Sequence, residues 1–367
     1  MTLAVLAFGA LLFATSGLYS VAASRGHFAV TRWMLEFGMR RSVATHSLGI
    51  STPPLDDMDL VRLGAGHFYG GCAPCHGAPG DTRNPVVANM LPPPPSLAQA
   101  APTWSTSELF WIVRNGLKYT GMPAWPEYRR DDEVWAVVAF LRKLPTMEAA
   151  EYKALATGHA QAQRRTANEL ARLGSGQAAA SACVRCHGDE ATEPTSRLVP
   201  RLAGQSERYL AMALRQYADG SRPSGIMRPL AAELDAAAVA SLSRYYSRLR
   251  IRGGAVQSPE ASSGEIQRGR EIALHGVAAS GIPPCLACHS GTAPTFPKLT
   301  GQYSAYTVGQ LRLFRAGIRQ GTTHAAIMAP IASRLTDQQI NDVAAYFESL
   351  APEPSAASDT SSARGGP

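Results

Sequence analysis

The six cysteines of this 367-residue chain all fall in one short pattern, which constrains fold and chemistry more than any other feature. The pattern is C-x-x-C-H, and it occurs as Cys72-Ala-Pro-Cys75-His76, Cys183-Val-Arg-Cys186-His187 and Cys285-Leu-Ala-Cys288-His289. Because no cysteine is left over, chance is a poor explanation for three copies. The chemistry of the chain should therefore be sought in this motif.

The motif has the spacing that covalent attachment of a haem requires. Two thiols three residues apart can add to the two vinyl groups on one edge of the ring, and the adjacent histidine can then ligate the iron. We therefore predict three covalently bound haem c groups. The residues predicted to hold them are the attaching cysteines Cys72, Cys75, Cys183, Cys186, Cys285 and Cys288 and the iron ligands His76, His187 and His289.

Three other uses of the cysteines agree less well with the sequence. A zinc site needs two pairs roughly 15–20 residues apart to supply four ligands. These pairs lie 111 and 102 residues apart. A thioredoxin-like dithiol does not need the histidine that follows each pair, and a disulfide scaffold leaves the three histidines unexplained.

Each motif lies in a repeated unit of the same layout. A segment with a helical pattern precedes the motif, a proline-containing loop follows it, and a second helical segment closes the unit. The predicted upstream helices cover residues 55–69, 166–180 and 264–275, and the closing helices cover residues 131–144, 235–249 and 337–350. Thr336 and Gln339 form a candidate capping box at the start of the last helix.

Each unit also has one methionine close to a proline, between the loop and the closing helix. These are Met122, Met227 and Met328, which lie 46, 40 and 39 residues after the histidine of their own unit. A thioether is a soft, neutral ligand that favours ferrous iron, and His/Met ligation raises the reduction potential. We predict that these methionines are the sixth iron ligands, whereas a lone methionine would more often fill a gap in the core.

Three other side chains compete for the same role. Met212 lies in the middle of a helical segment and is expected in the core, and Met90 is only 14 residues past its histidine, which is expected to be too near. His324, four residues before Met328, is the remaining rival ligand.

The loop prolines and two arginines are candidates for supporting roles. A ligating histidine usually donates its other ring N–H to a carbonyl, and the carbonyls of Pro95, Pro200 and Pro297 are the predicted acceptors, with a plain turn as the alternative. Arg222 and Arg319 are candidates for pairing with haem propionates, with a solvated surface position as the alternative.

These residues carry a resemblance to class I cytochromes c. The second and third units resemble the tandem dihaem cytochromes of the c-four type, through Pro200-Arg-Leu-Ala-Gly-Gln205 with Ile226-Met227 and Pro297-Lys-Leu-Thr-Gly-Gln302 with Ile327-Met328. The first unit resembles another class I branch, through Cys72-Ala-Pro-Cys75-His76-Gly-Ala-Pro-Gly80 and Gly121-Met122-Pro-Ala-Trp125, but its tetraproline loop departs from the other two. The resemblance implies all-helical modules, His/Met haems and electron transfer outside the cytoplasm.

The predicted architecture is all-α, with three tandem class I cytochrome c modules after an N-terminal transmembrane helix. The predicted boundaries are an anchor or signal peptide at residues 1–24, a juxtamembrane linker at 25–55, module 1 at 56–150, a linker at 151–164, module 2 at 165–252, module 3 at 260–351 and a disordered tail at 352–367.

The N-terminal segment has no charged residue before Arg25 and is about as long as a membrane-spanning helix requires, roughly 20 residues. A cleavable signal ending at Val21-Ala-Ala23 is the rival, and residues 27–39 are either an interfacial helix or a simple linker. Arg25, Arg32, Arg40 and Arg41 would place the haem modules in the cytoplasm by the positive-inside rule. The three haem motifs outweigh that bias, so we expect a bacterial inner-membrane protein with its haem modules in the periplasm.

Composition excludes other classes of function. A hydrophobic content of 45% rules out wholesale disorder, and the net charge of +7 includes no run of five basic residues, so no nucleic-acid partner is expected. We expect an electron carrier without catalysis of its own, between a dehydrogenase or quinol-oxidising donor and an oxidase acceptor. The alternatives are a subunit of a membrane dehydrogenase or terminal oxidase complex and, less consistent with three methionines, a haem peroxidase.

Overall fold

The structure is a computed structural model and describes residues 2–81, 83–158, 182–190, 192–249 and 261–350. Within these residues the regular structure is helical, apart from one isolated bridge between Val277 and Ile282, which confirms the all-α class. In chain order the α-helices are α1 (Thr2–Thr15), α2 (Ala29–His46), α3 (Met58–Gly71), α4 (Ala73–His76), α5 (Pro85–Ala88), α6 (Leu97–Ala100), α7 (Thr106–Asn115), α8 (Asp131–Lys143), α9 (Ala149–Thr157), α10 (182–187), α11 (Glu207–Ala218), α12 (Met227–Ala232), α13 (Ala236–Arg248), α14 (Ser263–His275), α15 (Leu286–His289), α16 (Ser304–Arg315), α17 (Ala325–Arg334) and α18 (Asp337–Ser349).

The first module is built on the crossing of α3 and α8. Helix α3 begins where the Asp57 carboxylate accepts the N–H of Asp59, and its apolar face places Phe68 against Phe140 of α8, with ring centres 4.9 Å apart. The helices meet at Gly64, where an added Cβ would lie 2.7 Å from the carbonyl carbon of Ala136. Only a glycine allows the two backbones to approach so closely.

The third module repeats this crossing with α14 and α18. An added Cβ at Gly269 of α14 would lie 2.5 Å from the carbonyl carbon of Asp342 and 2.8 Å from Cβ of Tyr346. The predicted capping box at the start of α18 is confirmed, since Thr336 N donates to Gln339 Oε1 at 2.9 Å and Gln339 N donates to Thr336 Oγ1 at 3.2 Å.

The second module has its core between α11 and α13. Leu210, Tyr246 and Leu249 are buried together there, with Cys183 packed against them. The closing helices α8, α13 and α18 end within one residue of the predicted segments, which confirms all three. The helix predicted at residues 166–180 lies outside the described residues, as does the predicted tail at 352–367.

The core of the first module continues past its predicted end at residue 150. Helix α9 runs through the start of the segment predicted as a linker, and its Tyr152 and Ala156 are each only 1% exposed. Tyr152 packs edge-on to Phe68, at 5.9 Å between ring centres. The physical reason is that Tyr152 completes an aromatic cluster with Phe68 of α3 and Phe140 of α8, whose ring centre lies 6.0 Å away.

The N-terminal residues form two helices. Helix α1 stops at Thr15, and no helix among the described residues has both the length and the apolar character needed to cross a membrane. Helix α2 packs its C-terminal end on the first module, where Val43 is buried and the Arg40 guanidinium lies 4.7 Å from the Trp104 ring centre. Its N-terminal half exposes apolar side chains, including Trp33 and Phe37.

Candidate haem sites

Each C-x-x-C-H motif forms one short helical turn, in α4, α10 and α15. In the first, His76 N donates to the carbonyl of Cys72 at 2.9 Å, and in the third, His289 N donates to Cys285 at 3.0 Å. Residues three and four apart share one face of a helical turn. The first cysteine of each motif therefore shares a face with the second cysteine and with the histidine, and all three residues of the first and third motifs line one cavity each.

All three histidines donate a ring N–H to the predicted proline carbonyl, which confirms that prediction. The distances from Nδ1 are 2.9 Å for His76 to Pro95, 3.1 Å for His187 to Pro200 and 2.8 Å for His289 to Pro297. A carbonyl can only accept, so Nδ1 holds the proton in each ring and Nε2 keeps its lone pair. Burial lowers the pKa of each of these histidines, which favours the neutral ligand form.

The cysteines line apolar surroundings. Burial raises the pKa of Cys72 to about 12 and of Cys183 and Cys285 to about 11, so these are neutral thiols against an apolar wall. No two of the six cysteines are joined in a disulfide. Across the described part of the chain, no cluster of three or more His, Cys, Asp or Glu side chains is arranged to hold a metal ion.

Two cavities bring the predicted sets of residues together. The first is lined by the motif residues of modules 1 and 2 with Met122 and Met227, and the second by residues of modules 2 and 3 with Met227 and Met328. The sixth-ligand assignment stays a prediction, because each methionine shares its cavity with others.

The rival side chains also reach these cavities. Met90 lines the first cavity, and its methyl group packs so closely on Gly121, the residue before Met122, that an added Cβ there would clash with it. Met90 therefore lines the same cavity as Met122, although it is only 14 residues past His76. Met212 and His324 line the second cavity.

Two buried arginines line the second cavity and bear on whether it fits a haem, which carries two carboxylates. Arg222 and Arg319 are 3% and 9% exposed, and Nε of each is buried without a hydrogen-bond partner. Their remaining contacts are to neutral groups, such as Tyr306 at 2.8 Å from Arg222 and Gln310 at 2.7 Å from Arg319. Neither has a carboxylate within ion-pair distance in the described residues, so each could bind an anion such as a haem propionate. The surface-position alternative is wrong for both.

Two glutamines, one from each module, bind modules 2 and 3 together in a near-symmetric way. Each glutamine side chain hydrogen-bonds the backbone of one residue in the other module. Gln205 Nε2 donates to Lys298 O at 2.8 Å and its Oε1 accepts from Lys298 N at 3.0 Å. Gln302 repeats this with Arg201, at 3.1 Å to the carbonyl and 3.0 Å from the N–H. The sequence carries a signal for this contact, since both glutamines end the same P-x-L-x-G-Q run.

This junction lies next to the histidine bonds. Arg201 and Lys298 directly follow Pro200 and Pro297, whose carbonyls accept from His187 and His289. In each case the histidine donates to the proline carbonyl, and the N–H of the next residue, in the same peptide group, donates to a glutamine of the neighbouring module.

Modules 1 and 2 meet along α3. An added Cβ at Gly66 would lie 3.5 Å from Sγ of Cys186, and the Arg185 guanidinium lies 4.7 Å from the Tyr69 ring centre. His67 lines the first cavity with its ring 4.7 Å from that of Trp125. The sequence does not single out these contacts, because no repeat or motif marks them.

Comparison with known families separates the modules in the same way. Residues 59–141 match the family described as cytochrome c oxidase, cbb3-type, subunit III, and residues 275–351 match the cytochrome c family.

Individual relatives cover about half of the chain and most of their own length. The thiosulfate dehydrogenase electron acceptor of Thiomonas intermedia is 36% identical over 189 residues, which is 50% of this chain and 84% of that protein. Cytochrome c4 of Pseudomonas aeruginosa is 34% identical over 182 residues, or 48% and 87%. A solved structure of cytochrome c4 from Acidithiobacillus ferrooxidans is 35% identical, with a TM-score of 0.41, and covers 46% of this chain and 98% of that one.

Proposed function

This chain belongs to the class I c-type cytochromes, and on that premise we propose that it carries single electrons through three covalently attached haem c groups. The observation that carries the proposal is the repeated histidine geometry. Three times, a histidine behind a C-x-x-C pair donates Nδ1–H to a proline carbonyl and keeps Nε2 free. A dithiol or disulfide scaffold has no use for that arrangement.

Different side chains have different roles at each site. Haem c bound there supplies one-electron exchange at its iron, with a potential raised by His/Met ligation. The six cysteines would attach the ring, and His76, His187 and His289 would ligate the iron through Nε2. Met122, Met227 and Met328 would supply the sixth ligand of the iron, and Arg222 and Arg319 would pair with haem propionates in the second cavity.

Attachment points in neighbouring modules lie close together, which supports exchange along the chain. Gly66, beside Cys186, and Cys72 at the end of α3 are six residues apart on one helix. At 1.5 Å per residue, this separation is about 9 Å. Between modules 2 and 3, the attaching cysteines Cys183 and Cys285 line one cavity.

We place the protein at a bacterial inner membrane, with modules 56–150, 165–252 and 260–351 in the periplasm. The absence of charge in residues 1–24 and the exposed apolar half of α2 support attachment to a membrane. The haem-attachment motifs support the periplasmic side. Fractionation of cells expressing the full chain, with protease added to intact spheroplasts, tests both points.

The redox partners are a dehydrogenase or quinol-oxidising donor and an oxidase acceptor. Modules 56–150 and 165–252 have net charges of −2 and +5 before any propionate is counted, so different partners would dock at different modules. Charge reversals in each module should then change the salt dependence of association with one partner only.

A subunit role is the second candidate, and two comparisons favour it. The first module matches the cbb3-type oxidase subunit III family, and one relative is named an electron acceptor of thiosulfate dehydrogenase. Purification from solubilised membranes distinguishes the candidates, because a stoichiometric oxidase or dehydrogenase partner indicates a subunit. Reduction of the isolated chain by a purified thiosulfate dehydrogenase would identify that class of donor.

The haem count is the direct test of the proposal. Pyridine haemochrome analysis of the mature chain should give three haems, and the double variant C183S/C186S should give two. Peptide mass spectrometry should find a haem adduct on each C-x-x-C-H segment. A chain that carries no covalent haem after normal maturation, or that binds zinc stoichiometrically, would refute the proposal.

A further inference from the structure

The loop that carries Met227 in the second module is held by the first module. Three consecutive residues of this loop bind to side chains at the start of α8. Arg130 Nη1 donates to the carbonyl of Pro223 at 2.7 Å. Ser224 Oγ and Gly225 N donate to the two oxygens of Glu133, each at 2.6 Å.

One of these bonds leads directly to the methionine. Ser224 Oγ accepts the N–H of Met227 at 3.0 Å while it donates to Glu133 Oε1. Two hydrogen bonds therefore separate the Glu133 carboxylate from the backbone of Met227. The hydroxyl can orient both bonds because it is one donor and two acceptors.

Glu133 is buried and fully engaged by donors. Its side chain is 4% exposed, Arg130 Nη1 lies 2.9 Å from Oε1, and Trp125 Nε1 donates to Oε2 at 3.3 Å. Each oxygen thus has one partner in its own module and one in the loop of the second module. A buried carboxylate that loses two of four donors is strongly destabilised, so the position of the loop and the carboxylate are coupled.

The loop backbone also packs closely on the first module. An added Cβ at Gly225 would lie 2.6 Å from Cε2 of Trp125, so the indole ring packs directly on the loop. Ile226 packs against the apolar core of the first module.

The methionine of the first module provides an internal comparison. Met122 N donates to Thr120 Oγ1 at 3.1 Å, and that hydroxyl donates to Leu117 O at 2.7 Å, within the same loop. In both modules a loop hydroxyl accepts the N–H of the methionine. The hydroxyl of Thr120 donates to its own loop, whereas the hydroxyl of Ser224 donates to Glu133 of another module.

We propose that Glu133 and Arg130 of the first module are positioning residues for Met227, so that the first module sets the axial ligation of the second haem. The inference rests on the proposed function, in which Met227 is the sixth ligand at that site. It deepens that function because it makes the ligation of one haem depend on contact between modules.

The test uses the full, haem-loaded chain and the absorption band of His/Met-ligated ferric haem at about 695 nm. The reference variant M227A should lose about one third of the band, since one of three irons loses its thioether. E133Q should lose most of that same third and lower the potential of one haem, because glutamine places a donor where an acceptor is needed. S224A removes the hydroxyl between Glu133 and the N–H of Met227, which is a smaller change, so it should lose part of that third of the band.

E348Q is the matched control. Glu348 is also a fully buried carboxylate at a contact between modules, bound by Arg197 Nη2 at 2.8 Å, but it contacts no methionine loop. This variant should keep the whole band. A loss of one third in M227A together with an intact band and unchanged potentials in E133Q and S224A would overturn the positioning role. Equal losses in E133Q and E348Q would also overturn it, and an intact band in M227A would refute the ligand assignment itself.

Discussion

Replacing Gly269 by alanine should push apart the two helices on which the third module is built. The added Cβ would lie 2.5 Å from the carbonyl carbon of Asp342 and closer still to its oxygen. These are backbone atoms, which cannot rotate aside, so α14 and α18 must separate along their crossing. Overpacking of this kind typically costs about 1–3 kcal/mol, and backbone contact argues for the upper end.

The opposing effect is smaller. Alanine is about 1 kcal/mol better than glycine inside a helix, so the net loss for G269A should be about 2 kcal/mol. For a module of this size that corresponds to a melting temperature lower by roughly 8–16 °C. G309A in α16 is the matched control, because nothing lies within 4 Å of its added Cβ. It should gain about 0.5–1 kcal/mol and melt slightly higher.

Thermal unfolding of the haem-loaded chain, followed by circular dichroism, measures both variants. Hydrogen exchange of the α14 and α18 amides assigns the affected transition to the third module, which matters because three modules need not unfold together. If G269A melted at or above the wild-type temperature, while G309A behaved as expected, the close crossing at Gly269 would be wrong.

Three further changes test the sites. M328A should lose about one third of the absorption band of His/Met-ligated ferric haem, whereas M212A should keep all of it, although Met212 lines the same cavity. Equal losses in the two variants would contradict the assignment of Met328 as a ligand. R222Q should lower at least one reduction potential in a potentiometric titration, because a buried cation beside the ring favours the more negative, ferrous state; unchanged potentials would argue against a haem carboxylate at Arg222. Burial, with the nearby Arg185 charge, lowers the pKa of His67 to about 4. The unfolded chain takes up this proton near pH 6.5, so stability falls as the pH drops from about 6.5 to 4, by up to about 3 kcal/mol. H67F should lose less stability over that window in denaturant titrations, and an identical loss would contradict the cause.

Local chemistry makes much of each site predictable. A C-x-x-C-H turn and an N-terminal capping box are set by residues three or four positions apart, and the acceptor prolines follow their histidines by 19, 13 and 8 residues within one repeated loop. The three histidine bonds and the Thr336 cap could therefore be predicted. The closing helices are predictable too, because their apolar residues recur with the helical period. Residues 131–143 and 337–349 lie where that period places them.

Contacts between distant segments give no such signal. Helix α9 has a weak helical pattern, which is why its segment reads as a linker, yet Tyr152 fills the core of the first module. Glu133 looks like one of several acidic residues at a helix start, where acids are common for electrostatic reasons. Its burial depends on a loop 91 residues further along the chain, which no local pattern could indicate.

The two junctions differ because the modules differ, and the second module lies between them. Modules 2 and 3 share one sequence pattern, so one glutamine contact can occur twice, in both directions, beside His187 and His289. Module 1 lacks that pattern. It contacts the second module at Cys186 and Arg185 of the haem motif and, through Glu133, at Ser224 in the loop of Met227. The third module therefore contacts the second site through the proline loop that accepts from His187, whereas the first module contacts both the haem motif and the loop of Met227. Under the proposed ligation, a disturbance at Glu133 would displace a ligand and lower the potential of the second haem, whereas a disturbance at Gln302 would alter only the surroundings of the His187 hydrogen bond.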